Sequence, residues 1–340
     1  MNDMLAESAD KLFADVATPA AVLEIERGGD ATALWRQIDE AGFCDALVPE
    51  DAGGVGLSLH GVFPLLVAAG RHALPLPLAA TCWARVLLAA RGVSAPAGPI
   101  ALAAAPLVEA DGTLTARAVP FGRVADWVVV QRGDTAWLLP IDAAVRRDIG
   151  VHGSLQAHLY WSAWPGDGAI ELGDGLPCHE TGAVLWAAML AGALDKVLDM
   201  TVAYANERVQ FGRSIGKFQA VQQNISEIAE LAQAAMLAAE MGAQAGLPQS
   251  STALHAALAK ARTSAAVPRV AAVAHAVHGA MGITAEYPLH LWTRRLHEWR
   301  LDFGAETFWH RRIGTALLDR PGGGGALDFV LDALAPVEPA

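Results

Sequence analysis

The distribution of apolar and polar positions divides the chain into three regimes. The first hundred residues and the last hundred and sixty are rich in alanine, a strong helix former. Between Pro99 and Leu176 the chain is rich in Val, Trp, Gly, Asp and Pro, with short alternating runs. Residues 113–119 set Leu114, Ala116 and Ala118 against Thr113, Thr115 and Arg117. Residues 127–130 and 136–139 are apolar runs bounded by Asp126, Gly133-Asp134 and Pro140, and residues 157–161 form another. Such runs predict strands joined by turns. The expected order is therefore helical, then β, then helical.

In the last regime apolar residues recur at spacings near three and four. Residues 182–206 carry Leu185, Met189, Leu190, Leu194, Leu198 and Val202, and residues 218–245 carry Val221, Ile225, Ile228, Ala232 and Ala235. Gly246-Leu247-Pro248 breaks the pattern. Ser250-Ser251-Thr252 offers caps for a third helix over 251–278. Helices over 289–299 and 305–318 follow. Long amphipathic helices with short breaks predict antiparallel neighbours in a bundle. The expected division is a helical domain over 1–98, a small β domain over 99–176 and a helical bundle over 177–320. The tail over 321–340, with Pro321 and a run of glycines, is expected to fray.

Composition narrows the function. The 340 residues hold 24 Lys plus Arg against 36 Asp plus Glu, a formal net charge of -12. That balance disfavours nucleic-acid binding through phosphates. The hydrophobic share of 53% supplies a large core. Cys44, Cys82 and Cys178 are far apart and form no CxxC pair, so neither a disulfide framework nor a zinc site is expected. Asp3 stands where a signal peptide would be basic, and no apolar run reaches ~18 residues without a charge. A soluble cytoplasmic protein without a membrane span is the expectation.

Three segments are more specific. The first, over residues 206–222, contains Arg208-Val209-Gln210-Phe211-Gly212-Arg213 and Phe218-Gln219. The second contains His278-Gly279-Ala280-Met281-Gly282 and Glu286-Tyr287-Pro288. The third is Pro49-Glu50-Asp51-Ala52-Gly53-Gly54. In this order and at these separations they resemble the signature stretches of the acyl-CoA dehydrogenase family, over nearly the whole chain.

The resemblance implies an N-terminal helical domain, a middle β domain and a C-terminal four-helix bundle. It also implies FAD at a subunit interface, an acyl-CoA substrate and an electron-transfer flavoprotein as electron acceptor. In that family a base removes the α proton and the β hydrogen leaves as hydride to the flavin. Cofactor contacts carry over to Arg208, Gln210, Phe211 and Gln219, and to His278 and Gly279 in the second segment. Arg208 offers a fork of donors suited to pyrophosphate, and a helix start near Phe218 suits phosphate. Without the resemblance, the first segment reads as a turn between two bundle helices. His278 also reads as a helix-end histidine bonded to a carbonyl. Pro49–Gly54 reads as a structural turn before a wall of an acyl pocket.

The catalytic carboxylate is missing from both positions at which the family places it. Seventeen positions after Glu286 stands Phe303, and twenty-six before Arg208 stands Gly182. Neither accepts a proton. Glu180 and Glu306 are weak stand-ins. Asp302 reads as a cap of the last helix, Glu306 as a charge favourable to that helix's N-terminus, and Glu298 is nearby. Ala276 and Ala280 also depart from the family pattern, and the β domain looks shortened. Arg294-Arg295 and Arg311-Arg312 read as surface ion pairs before CoA phosphate contacts. Short members with such losses resemble the smaller subunits of heteromeric bacterial acyl-CoA dehydrogenases. Three readings stay open: a subunit whose base comes from a partner chain, a self-sufficient homo-oligomer with an unusual base, and a flavin-free structural or acyl-CoA-binding subunit on the same scaffold.

Overall fold

The computed structural model describes residues 2–247, 253–319 and 325–333. Five helices come first: α1 (Asn2–Val16), α2 (Pro19–Glu26), α3 (Thr32–Glu40), α4 (Leu59–Arg71) and α5 (Leu78–Ala90). Caps set two of their starts. Thr18 accepts from the Ala21 amide at 3.3 Å, and Ser58 from the Gly61 amide at 3.1 Å. The Pro49–Gly54 segment is a short 3-10 turn over Glu50–Ala52, outside the main groove described below.

Eight strands follow: β1 (Ile100–Leu102), β2 (Val108–Ala110), β3 (Thr113–Val119), β4 (Trp127–Arg132), β5 (Thr135–Pro140), β6 (Val145–Asp148), β7 (Ala157–Trp161) and β8 (Ile170–Asp174). They form two four-stranded sheets, ordered β1-β4-β5-β8 and β2-β3-β7-β6. Only β1 and β4 run parallel, with Ile100 opposite Trp127. The alternating runs became β3, β4, β5 and β7. Strands β2 and β6 are exposed at every position, so no apolar period marked them. A core of Leu114, Val128, Leu139, Leu159 and Trp161 holds this section together.

The bundle consists of α6 (Cys178–Glu207), α7 (Gln219–Gln244), α8 (Ala253–His278) and α9 (Leu289–Leu301), followed by α10 (Glu306–Leu318). A two-residue hairpin of β9 (Val209–Gln210) and β10 (Arg213–Ser214) joins α6 to α7. The expected caps of α8 at 250–252, and Pro248, lie outside the described residues, as do 321–324 and 334–340 of the expected tail. Within that tail, Ala326–Ala333 forms a helix, α11, where fraying was expected.

Helix α6 is long and apolar enough to cross a membrane by length and composition, against the expectation drawn from uncharged runs alone. It serves instead as the buried axis of the bundle, with 83% of its most apolar window covered. The N-terminal helices share its core: Phe13, Leu66 and Trp83 belong to one cluster with Leu185, Ala235 and Leu296. Helices α4 and α6 cross at glycines. A Cβ on Gly192 would overlap the carbonyl oxygen of Val67, and one on Gly70 that of Met189. Arg71 then pairs with Asp195 and, at 2.7 Å, with Asp199.

This crossing is expected to be intolerant. Alanine in place of a mid-helix glycine gains ~1 kcal/mol of helix propensity. Overpacking a backbone contact costs about 1–3 kcal/mol, and the carbonyl facing Gly192 cannot rotate away. Gly192→Ala should therefore lower the denaturant midpoint of unfolding.

Candidate functional site

A groove of about 870 Å³ separates α9 from the β section. Thr293, Glu298 and Leu301 line it from α9, Ala104, Ala118 and Gln156 from the β side, and His179 from the first turn of α6. Its inner end is the turn Asp302-Phe303-Gly304 between α9 and α10. One wall is braced by Glu26, which pairs with Arg294 at 2.8 Å and Arg295 at 3.2 Å. Arg295 is only 2% exposed, so the expectation of surface ion pairs fails there. Its partner comes from α2, a distant element that spacing along α9 could not reveal.

The two positions at which the resemblance leads one to expect a base lie against each other. Gly182 is on α6, and a Cβ built there would overlap the ring of Phe303. Phe303 is 1% exposed and holds φ at 53°, a left-handed value rare for a bulky residue. Trp186 packs on its ring at 4.6 Å and His179 at 6.2 Å. One aromatic ring thus fills the volume that either carboxylate would need.

Asp302 does not cap α10. It is 6% exposed, and the α10 start has no side-chain cap. Its Oδ1 accepts from Gln156 Nε2 at 2.7 Å and its Oδ2 from Trp186 Nε1 at 3.1 Å. The backbone of the turn points this side chain at the β section and α6, away from the helix amides. Burial, aided by the Glu298 charge, pushes its carboxyl well above the usual range. Buried Lys260 stands nearby, pulled down by its own burial to about 7.

The stand-ins are engaged elsewhere. Glu306 pairs with Arg300, whose Nε donates at 2.9 Å, and that hydrogen bond holds its carboxyl below the ordinary value. It does sit in the first turn of α10, where a negative charge is favourable. Glu180 accepts from Arg312 at 2.6 Å. Burial raises the Glu180 carboxyl, but the Arg312 hydrogen bond, a backbone hydrogen bond and the charges of Arg312 and His179 together outweigh it and the net shift is downward. Glu298 differs. Burial raises its carboxyl, and it faces the groove. Burial also lowers His179, His275 and His297 along the same groove, which favours neutral imidazoles.

The residues expected to hold a cofactor gather at the other end of α6. Arg208, Gln210, Phe211 and Gln219 are all exposed, and Phe211 is 90% exposed. Phe211 (φ 51°) and Gly212 (φ 76°) form the hairpin turn, which suits the paired positive φ of a tight two-residue loop. Arg213 stacks on Phe218 at 4.2 Å, bracing the hairpin. Arg208 forms no ion pair among the described residues, and α7 begins at Gln219 without a side-chain cap. Free amides, a free guanidinium and an exposed ring fit an anionic aromatic ligand.

The second segment reaches the same end. Tyr204 Oη donates to the His278 carbonyl at 3.2 Å. The His278 ring is 2% exposed, stacks on Tyr204 at 4.4 Å and bonds through Nδ1 to the Ala274 carbonyl at 2.7 Å. Gly279 is exposed with φ at 57°. From Gly182 to Arg208, α6 extends ~39 Å at 1.5 Å per residue, more than the ~30 Å diameter of a small domain. The hairpin and the filled corner of one chain thus stand at opposite ends of α6.

Comparison with known proteins agrees with this architecture. Residues 180–317 match the family model described as acyl-CoA dehydrogenase, C-terminal domain. The acyl-CoA dehydrogenase IpdE2 of Mycolicibacterium smegmatis is 31% identical over 301 residues, covering 87% of this chain and 92% of that protein. The chain belongs to the acyl-CoA dehydrogenase family. Among solved structures, the ChsE4–ChsE5 complex from Mycobacterium tuberculosis shares the fold, with a TM-score of 0.77 at 23% identity, covering 94% of this chain and 98% of that one. A glutaryl-CoA dehydrogenase from Mycobacterium smegmatis in complex with FADH2 matches with a TM-score of 0.75 at 15% identity, covering 94% and 95%. The acyl-CoA dehydrogenase fold explains why a β section is inserted between two helical sections that share one core.

Sequence reasoning missed Lys260, Gln156 and Trp186 and misread Asp302. The available signal was Lys260 itself, one of three Lys and Arg residues in an alanine-rich helical stretch.

Two measurements check the geometry. Gly182→Ala should destabilise by about 1–3 kcal/mol through overlap with the ring. Phe303→Ala removes that ring, so the double variant should lose less than the sum of the single losses, with a coupling above about 0.5 kcal/mol. The second concerns Glu306. Its folded pKa lies below its ordinary 4.5, so the stabilisation is present above that value and lost as pH falls through the folded value. Glu306→Gln should be less stable than the parent at pH 7, and the difference should shrink below pH 4.5.

Proposed function

We propose that this chain is the subunit of a heteromeric acyl-CoA dehydrogenase whose catalytic carboxylate comes from a partner chain. The observation that carries this reading is the reciprocal fit of Phe303 against Gly182. α-Proton abstraction needs a carboxylate within hydrogen-bond reach of the thioester. Here an aromatic ring takes that place. Glu180 and Glu306 are bound by arginines, and Asp302 is held by an amide and an indole.

What this chain offers is its hairpin end. Arg208 supplies a charged donor for a pyrophosphate, and the Gln219 end of α7 supplies amides. Gln210 and exposed Phe211 flank the same place. FAD, when bound, supplies the hydride acceptor of the dehydrogenation. The separation along α6 makes this end available to a cofactor shared with another subunit. His278 takes part by stacking under Tyr204 and setting the loop that carries Gly279.

A second reading is a flavin-free structural or acyl-CoA-binding subunit on the same scaffold. One observation favours it: His278 spends its Nδ1 on the Ala274 carbonyl and turns its ring inward.

The test is the absorbance spectrum and turnover of the chain purified alone and after co-expression with a candidate partner dehydrogenase subunit. Flavin bands and acyl-CoA oxidation only in the co-expressed complex support the first reading. Full turnover by the lone chain would falsify it. A complex that oxidises acyl-CoA with unchanged flavin content after Arg208→Ala favours the second. On the first reading, Arg208→Ala should weaken flavin retention by about tenfold to a hundredfold, the loss of a charge-assisted hydrogen bond worth ~1.5–3 kcal/mol.

A further inference from the structure

Lys260 has no solvent exposure. A buried ammonium is tolerated only when its donors are used. Its Nζ donates to Ser264 Oγ at 2.9 Å and lies 3.2 Å from the Trp299 carbonyl, 3.0 Å from that of Arg300 and 3.0 Å from that of Gly304. Trp299 and Arg300 belong to the last turn of α9, whose carbonyls find no partner within the helix. Gly304 lies on the far side of the turn. One ammonium therefore ties both shoulders of the segment that carries Asp302 and Phe303.

Three other elements grip the same turn. Trp309 on α10 donates through Nε1 to the carbonyls of Phe303 at 2.9 Å and Gly304 at 3.1 Å. Gln156 beside β7 and Trp186 on α6 hold the two oxygens of Asp302. These contacts fix both shoulders of the turn and its first side chain. Phe303 takes the left-handed conformation and its ring turns onto Gly182.

We propose that Lys260 is a positioning residue that holds this turn in the form in which Phe303 closes the inner end of the groove to ligand. The role goes beyond the subunit reading and does not require that flavin bind.

Cys178 provides the readout. It lies on α6 one helical turn before Gly182, on the same face, and is 4% exposed. The neighbouring His179 packs on Phe303, Phe308 and Trp309. Loosening the turn should uncover this thiol. In a Cys44→Ala/Cys82→Ala background, Cys178 is the sole thiol. Its labelling by a small disulfide reagent under native conditions should be at least tenfold faster after Lys260→Met. Lys260→Gln, which keeps two N–H donors, should fall between. Labelling of Cys44 in a Cys82→Ala/Cys178→Ala background should not change, because that thiol is buried among the N-terminal helices. Should Lys260→Met fail to fold, Lys260→Gln and Lys260→Met/Asp302→Asn are read by the same criteria. A Cys178 rate within twofold of the parent overturns the proposal. So does an equal acceleration at Cys44, which reports global loosening.

Discussion

A phenyl ring and a glycine hydrogen meet where α6 faces the α9–α10 turn, and one volume cannot hold both that ring and a second side chain. Burying a phenylalanine contributes about 1.5–3 kcal/mol. The left-handed backbone that Phe303 needs costs about 1–2 kcal/mol. Packing alone roughly matches that cost, and the hydrogen bonds of the turn add to it. The contacts with Trp186 and His179 continue into Phe121, which packs on Trp186 at 6.1 Å. This aromatic wall therefore links the first turns of α6 to the β section.

The buried charges around the groove fit a supporting role. Lys260 spends its protons on backbone carbonyls, and Asp302 spends its oxygens on an amide and an indole. Glu26 spends its own on Arg294 and Arg295. Buried ion pairs add little net stability compared with apolar residues of the same volume. Their value here lies in direction: each joins separate elements of the fold at a fixed point. Glu298 is the exception, a carboxyl that faces the groove and is raised by burial.

Much of this was legible in the residues. Alternation marked β3, β4, β5 and β7, and spacing marked the bundle helices. The segment around Arg208 marked the join between two bundle helices, though not the hairpin it forms there, and counting from the motifs found no carboxylate at either expected position. What could not be read was direction. Asp302 and Phe303 are neighbours in sequence and both meet Trp186 on α6, one through its carboxyl and the other through its ring, with Phe303 in the left-handed region. That conformation is imposed by Lys260, Trp309, Gln156 and Trp186, all outside the segment. Nor could counting show that positions 182 and 303 share one volume, since their contact depends on how α6 and α9 cross.

The same crossing bears on assembly. Helix α6 carries the filled corner near its start and the exposed hairpin past its end, and a helix of this length keeps the two apart. The hairpin exposes Val209 and Phe211 to solvent at 61% and 90%, although the chain has ample buried space for apolar groups. An aromatic side chain held out on a tight turn, beside an uncapped helix start and an unpaired arginine, meets the Phe218 ring edge-on at 6.1 Å and otherwise faces solvent. Its further energetic return comes when another surface or a ligand covers it. On the function proposed above, that return lies at an interface, where the hairpin would complete a site whose proton acceptor belongs to a different polypeptide.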